Sequence, residues 1–253
     1  MEIKFYAQTH KGKRYNNEDA VVAVNLGGGN YFFAVADGIG DDVGGEVASS
    51  VSLYMMEKRL KHFVAQSKIN ESNLKQTMVS LFEAAKDAIC QFVEIQPDLK
   101  GMGTTITAML FHGNKYVWGQ VGDSRLYMIK NDLVTRLTRD HTLAEDFSYL
   151  SNGNKIPIHT THNNQLTRKI DSDTCNPDIY PIDMDYAVVE ENMGWLICSD
   201  GLIVDRRKDF KELFNNIKLR PDSLHCVSTS MVKTAIKNGA TGNISLVAVA
   251  TGN

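Results

Sequence analysis

The sequence predicts an α+β fold in which stacked antiparallel β-sheets are covered by helices. Three observations predict it. Nine short runs are continuously apolar or alternate with period two, at 3–8, 20–25, 31–36, 104–111, 115–121, 125–129, 186–189, 194–198 and 244–250. Several are joined by brief turn sequences, and connections that short link antiparallel neighbours. Long helical patterns interrupt the strand series, and helices inserted between antiparallel strands pack over the sheet faces.

The elements follow in chain order. The first three strands are separated by polar residues and by Gly27-Gly28-Gly29-Asn30. Residues 45–66 place Val47, Val51, Tyr54, Met55 and Leu60 at helical spacing. From Leu74 the positions Met78, Leu81, Phe82, Ala85, Ile89 and Phe92 fall three and four apart on one face, the stripe of a core-facing helix. His112-Gly113-Asn114 and Lys130-Asn131-Asp132 mark turns around the middle strands. Residues 221–237 form a third helix with Leu224, Val227, Met231, Ala235 and Ile236 inward, and Pro221-Asp222 as its start signal. Residues 140–185 are polar and poor in periodicity and read as a lid or surface segment.

Bulk properties narrow the function. With 253 residues, 43% of them hydrophobic, the chain has material for a large core and sits near the upper size of a single domain. Residues 1–253 are therefore expected to form one domain that carries the 140–185 lid. A formal net charge of -3 argues against nucleic acid as partner. Lys58-Arg59-Leu60-Lys61 and Arg206-Arg207-Lys208 are short enough to be solvated faces. No apolar stretch reaches membrane-spanning length. Met1-Glu2-Ile3-Lys4 opens without the apolar region of a signal peptide. Cys90, Cys175, Cys198 and Cys226 show no paired spacing, and Cys90 and Cys198 read as small core residues. The expectation is a cytoplasmic protein in a reducing environment.

Chemistry is concentrated in four acidic segments: Asn17-Glu18-Asp19, Ala36-Asp37-Gly38, Val121-Gly122-Asp123-Ser124-Arg125 and Cys198-Ser199-Asp200-Gly201. Each acid sits where an apolar, strand-like run meets Gly, Ser or Asn. That placement suits carboxylates gathered at one rim of a sheet, and gathered carboxylates require a counter-charge. Hard divalent cations with oxygen ligands supply one. The seven histidines give no metal-ligand spacing. His159 and His162, in the expected lid, could touch substrate, but their polar surroundings favour exposed loop residues. Ser124 and Ser199 lie outside any G-x-S-x-G elbow, which disfavours a serine hydrolase.

In order and spacing these segments resemble the bacterial type 2C, metal-dependent (PPM) serine/threonine protein phosphatases. The resemblance starts at Gly12-Lys13-Arg14-Tyr15-Asn16-Asn17-Glu18-Asp19 and continues from Ala36-Asp37-Gly38-Ile39-Gly40 to Gly45-Glu46-Val47-Ala48-Ser49. Gly103-Thr104-Thr105, Val121-Gly122-Asp123-Ser124-Arg125, Leu137-Thr138-Arg139-Asp140-His141, Leu166-Thr167-Arg168 and Ser199-Asp200-Gly201 follow in family order. It implies two stacked antiparallel sheets flanked by pairs of helices, an αββα sandwich. It also implies hydrolysis of phosphoserine and phosphothreonine in proteins, opposing a cytoplasmic kinase, with no covalent intermediate. Two Mn²⁺ or Mg²⁺ ions are implied, a third is possible, and the acting form is expected to be a monomer.

The resemblance assigns roles residue by residue. Asp37 bridges two ions, with the Gly38 carbonyl as a further ligand, and a glycine there lets backbone approach closely. Glu18 serves one ion, mostly through water, and Asp200 serves the other. Arg14 is the phosphate hook, because guanidinium is always charged and offers a planar fork to phosphate oxygens. Asp19 orients Arg14 or water. Asp123 has two readings: a ligand of a third, weaker site with Asp200, or a turn residue paired locally with Arg125. His141 belongs to a motif whose role in the family is structural.

Two positions depart from the family pattern. Asp41 and Asp42 stand where bacterial relatives carry a Gly-His pair. Gly242, within Thr241-Gly242-Asn243-Ile244-Ser245, stands where a ligand Asp belongs. Water could fill that position, Asn243 or Asp205 could substitute, or the ion could bind too weakly for turnover. The last outcome would leave a module that binds phosphoproteins or a regulatory partner.

Overall fold

A computed structural model of the chain describes residues 2–39, 44–150, 164–173, 182–204 and 219–252. Strands β1 (Ile3–His10), β2 (Asp19–Gly27) and β3 (Asn30–Ile39) open the chain. Helices α1 (Gly45–Ala65) and α2 (Leu74–Ile95) follow. Then come β4 (Gly103–His112), β5 (Lys115–Val121), β6 (Arg125–Lys130) and β7 (Leu133–Arg136). Helix α3 (Leu143–Leu150), β8 (Ile170–Asp171), β9 (Asp183–Val188) and β10 (Met193–Cys198) precede α4 (Leu224–Lys237) and β11 (Ile244–Thr251).

Two sheets form, in orders β1-β11-β10-β6-β7 and β2-β3-β4-β5-β9, with β8 paired to β4. Every strand pairing is antiparallel. Period two divides the apolar runs between two cores. Along β3, Phe33 and Val35 turn to the inter-sheet layer with Met109, Phe111, Trp195, Val247 and Val249. Phe32, Ala34 and Ala36 turn outward under α1 and α2, against Leu53, Met56, Met78, Leu81 and Phe82. The other sheet repeats this with Leu196, Cys198, Leu246 and Ala248 packed under Met231, Val232 and Ala235 of α4. Strands buried on both faces lose polar alternation, which is why these segments read as apolar runs.

The expected sandwich is present, with α1 and α2 paired over one sheet; over the other, α4 is the helix among the described residues. Three local expectations change. The stretch read as an aperiodic lid contains α3, β8 and the start of β9. Helix α4 starts at Leu224 rather than near Pro221, its Ser223 hydroxyl bonding back to the Arg220 carbonyl at 3.2 Å. Cys90, read as a core residue, is half-buried and disulfide-bonded, whereas Cys198 is buried and free. Asp41, Asp42, His159, His162, Cys175 and Asp205 lie outside the described residues.

Candidate metal centre and phosphate pocket

The sandwich brings the acids together because their segments all meet at one end of it. β2 begins at Asp19, and β3 ends just past Asp37 and Gly38. β5 stops at Val121, two residues before Asp123, and β10 stops at Cys198, two before Asp200. β11 begins directly after Gly242-Asn243. Glu18, Asp37, Gly38, Asp123 and Asp200 line a single cavity of about 880 Å³ with Arg14 and Gly242.

Asp19 and Asp37 are register partners on the β2–β3 ladder. Asp37 opens onto the cavity and is otherwise enclosed, with its backbone held by two threonines. Its N–H donates to Thr105 Oγ1 at 3.3 Å, and its carbonyl accepts from Thr104 Oγ1 at 3.0 Å. Thr105 Oγ1 lies 3.1 Å from Ser124 Oγ, which ties β4 to the turn bearing Asp123. Burial first, then the charges of Asp19, Asp200 and Asp123, push the Asp37 carboxyl well above the usual carboxylate range.

Asp19 itself lies beneath the cavity floor. Ser199 Oγ donates to its Oδ2 at 2.8 Å, while Oδ1 is buried with no hydrogen-bond partner among the described residues. Burial lifts its carboxyl to about 6, opposed by hydroxyl donors and reinforced by Asp200. Asp19 was expected to orient Arg14 or water; the side-chain partner that it has here is Ser199, and its charged neighbours are the other acids. Ser199 was missed as a site residue. The available signal was a pair of serines, Ser199 and Ser245, at the ends of apolar strands and fully buried. Ser199 accepts the Ser245 N–H at 2.9 Å.

Glu18 is half-buried and raised by burial and by Glu46, with Arg14 acting in the opposite direction. Its carbonyl accepts from the Gly38 N–H at 3.0 Å and from Ser49 Oγ at 2.6 Å. The glycines here are steric necessities. A Cβ on Gly38 would stand 2.1 Å from the Gly45 carbonyl oxygen and 2.7 Å from that of Glu18.

Asp123 reaches the cavity through a tightly held turn. Gly122 has φ +109°, and its N–H donates to His141 Nδ1 at 3.0 Å, while its carbonyl accepts the His141 N–H at 3.0 Å. His141 Nε2 faces Asp183 at 3.1 Å, and burial holds this imidazole below its ordinary pKa. A fully buried histidine hydrogen-bonded at both nitrogens agrees with the structural role its motif implied. The local pairing of Arg125 with Asp123 is not the one formed. Arg125 grips Asp140 in a two-pronged ion pair, with Nε to Oδ1 at 2.9 Å and Nη2 to Oδ2 at 2.6 Å, and Arg136 joins the same carboxylate at 2.5 Å.

Gly242 leaves its part of the wall bare. A Cβ there would meet nothing closer than Gly201 Cα at 3.9 Å. Asn243 does not replace the missing acid, because its side chain is committed. Nδ2 donates to the Lys11 and Asn16 carbonyls at 2.9 and 2.8 Å, and Oδ1 accepts the Glu18 N–H at 2.9 Å.

This donor set fits a hard divalent cation. All of its donors are oxygen, and Asp19 keeps a buried oxygen with no hydrogen-bond partner among the described residues. Among the described residues no three His, Cys, Asp or Glu side chains converge into a complete cage. Water and carbonyls such as that of Gly38 would complete a shell, as these ions allow.

Comparison with known proteins agrees with this architecture. The family model for protein phosphatase 2C matches residues 8–233, and the chain belongs to that family. It is 32% identical over 205 residues to the serine/threonine protein phosphatase PstP of Mycobacterium tuberculosis, covering 80% of this chain and 37% of PstP. The chain thus spans little more than a third of that relative's length. The serine/threonine phosphatase stp of Listeria innocua is 28% identical over 199 residues, covering 77% of this chain and 76% of the relative. Among solved structures, the PstP catalytic domain in complex with two manganese ions aligns with TM-score 0.75 and 27% identity over 98% of this chain and 97% of that one. Stp1 of Staphylococcus aureus, at 20% identity, shares the fold with TM-score 0.83 over 100% and 96% of the two chains.

Proposed function

We propose that this protein is a Mn²⁺- or Mg²⁺-dependent phosphatase that removes phosphate from phosphoserine and phosphothreonine in proteins. The observation that carries the reading is the convergence of Glu18, Asp37, Asp123 and Asp200 with Arg14 on one cavity. Membership of the protein phosphatase 2C family supports it, as does a relative whose structure holds two manganese ions.

Asp37, the Gly38 carbonyl, Glu18 and Asp200 would hold two ions, and Asp123 with Asp200 a third. Such ions supply positive charge against phosphoryl oxygens and acidify water. Arg14, exposed at the rim, binds the phosphoryl oxygens through its planar fork. Asp19, held by Ser199 beneath Asp37, maintains the negative charge that draws the ions in. The cavity is open enough for a phosphorylated side chain on a polypeptide. We further propose that residues 1–253 act as one domain and as a monomer, opposing a serine/threonine kinase in the cytoplasm. No helix among the described residues is long and apolar enough to cross a membrane.

Gly242 favours a second reading, a weakened or inactive module that binds phosphoproteins. Titrating Mn²⁺ into the protein with p-nitrophenyl phosphate separates the two. Hydrolysis that saturates with Mn²⁺ and stops on chelation supports the enzyme. No turnover in excess Mn²⁺, with phosphopeptide binding retained, supports the module.

A further inference from the structure

We infer that Asn243 is a positioning residue that seats the Arg14 loop on the metal rim, so that phosphate recognition depends on it although it need not touch phosphate. The inference rests on the phosphatase reading and adds to it a residue outside the ligand set.

The loop from Lys11 to Glu18 carries both Arg14 and Glu18. Its internal bonds are local turns: the Arg14 N–H to the Lys11 carbonyl at 3.2 Å and the Asn17 N–H to Asn16 Oδ1 at 2.8 Å. Asn17 Nδ2 adds a bond to Thr9 Oγ1 at 2.8 Å, at the end of the preceding strand. A distant part of the chain reaches the loop through Asn243, whose one amide group spans it from end to end. It donates to the Lys11 and Asn16 carbonyls, three residues before and two after Arg14, and accepts the Glu18 N–H. These contacts cross 232, 227 and 225 positions of sequence.

A second observation is steric. A Cβ on Gly12 would stand 2.0 Å from the Gly242 carbonyl oxygen. The loop therefore lies flush on the Gly242-Asn243 backbone, and its φ of +61° at Gly12 suits glycine. A guanidinium on an otherwise solvent-exposed loop gains phosphate affinity by being held in place before phosphate arrives. A carboxamide carries two N–H donors and an acceptor oxygen on one planar group, the set that these three bonds use. The chain thus keeps the placement of its phosphate hook while lacking a carboxylate at the adjacent Gly242.

The test uses Asn243→Ala and Asn243→Asp in the full chain with saturating Mn²⁺. Asn243→Asp keeps the shape and the acceptor for Glu18 but faces two carbonyls without a donor. For p-nitrophenyl phosphate, KM is expected to rise about tenfold with kcat within about threefold, the pattern of lost positioning for binding. The Kd for inorganic phosphate should rise in parallel. Hydrogen exchange at the Glu18 amide should accelerate in Asn243→Ala relative to Asn243→Asp, while amides of the sheets keep their protection. Unchanged phosphate affinity and unchanged Glu18 exchange in both variants would overturn the inference. So would equal loss of kcat and Tm with KM fixed, the mark of a merely structural residue. Should Asn243→Ala fail to fold, Asn243→Asp alone decides through KM and phosphate binding. Absence of turnover in wild type would refute the phosphatase reading, and the exchange comparison would still test the seating of the loop.

Discussion

Asp19 and Asp37 stand directly opposite one another on the β2–β3 ladder, Asp37 facing the cavity and Asp19 buried beneath it on Ser199. Like charges on register partners oppose each other. Here burial and Asp200 add to that repulsion, so both carboxyls hold their protons to a higher pH than a free aspartate does.

The pH dependence follows from those raised values. A carboxyl whose folded pKa lies above its unfolded one favours the folded state fully below the unfolded pKa. That contribution is lost as pH rises through the folded pKa. For Asp19 the window runs from 3.8 to about 6, a change on the order of 3 kcal/mol. Chelated protein is expected to lose Tm across this window, and Mn²⁺ to restore it most strongly at neutral pH. Asp19→Asn should flatten the metal-free profile. Thermal melts with and without chelator check both.

Gly242 and Gly201 are neighbours with opposite expectations. Gly242→Asp places its Cβ in open space and restores a carboxylate, so Mn²⁺ affinity is expected to rise by about tenfold, or 1.4 kcal/mol. Gly201→Ala would set a Cβ 1.9 Å from the Asn243 carbonyl oxygen, and is expected to cost about 1–3 kcal/mol in stability. Calorimetric Mn²⁺ titration reads the first, and urea unfolding the second.

Asp140 joins Arg125 and Arg136 in a buried cluster at the cavity wall. Asp140→Ala leaves the Arg125 guanidinium without its carboxylate, and breaking a buried pair from one side costs about 3–5 kcal/mol. Arg125→Met combined with Asp140→Leu should cost less than Asp140→Ala. The midpoints of denaturant unfolding distinguish these outcomes.

Arg14 is exposed at the rim, so its replacement should leave the fold intact. Arg14→Ala is expected to raise KM for phosphate esters with little change in Tm. Arg14→Lys should recover only part of the loss, since an ammonium cannot reproduce the guanidinium fork. Steady-state kinetics on an aryl phosphate read the difference.

Much of this was legible in the sequence, for definite reasons. Strands buried on both faces, such as β3 and β11, appear as apolar runs, and α2 shows its stripe over 22 residues. β7, with four residues, and β8, with two, are too short to express a period. Helix α3 hides inside a polar stretch. In the site, residue types at strand ends pointed to Glu18, Asp37, Asp123 and Asp200. Partners distant in sequence did not follow from local spacing. Asp140 lies 15 residues from Arg125, Ser199 lies 180 from Asp19, and the Asn243 amide serves a loop more than two hundred residues away. Those pairings exist only once the two sheets are stacked.

The most direct test of the account is phosphate release from a phosphothreonine peptide by wild type and Asp37→Asn, side by side, across a Mn²⁺ titration. The account predicts release by wild type that rises with Mn²⁺ and is abolished by chelator, and none from Asp37→Asn. Release by wild type that ignores Mn²⁺, or equal release from Asp37→Asn, would contradict it.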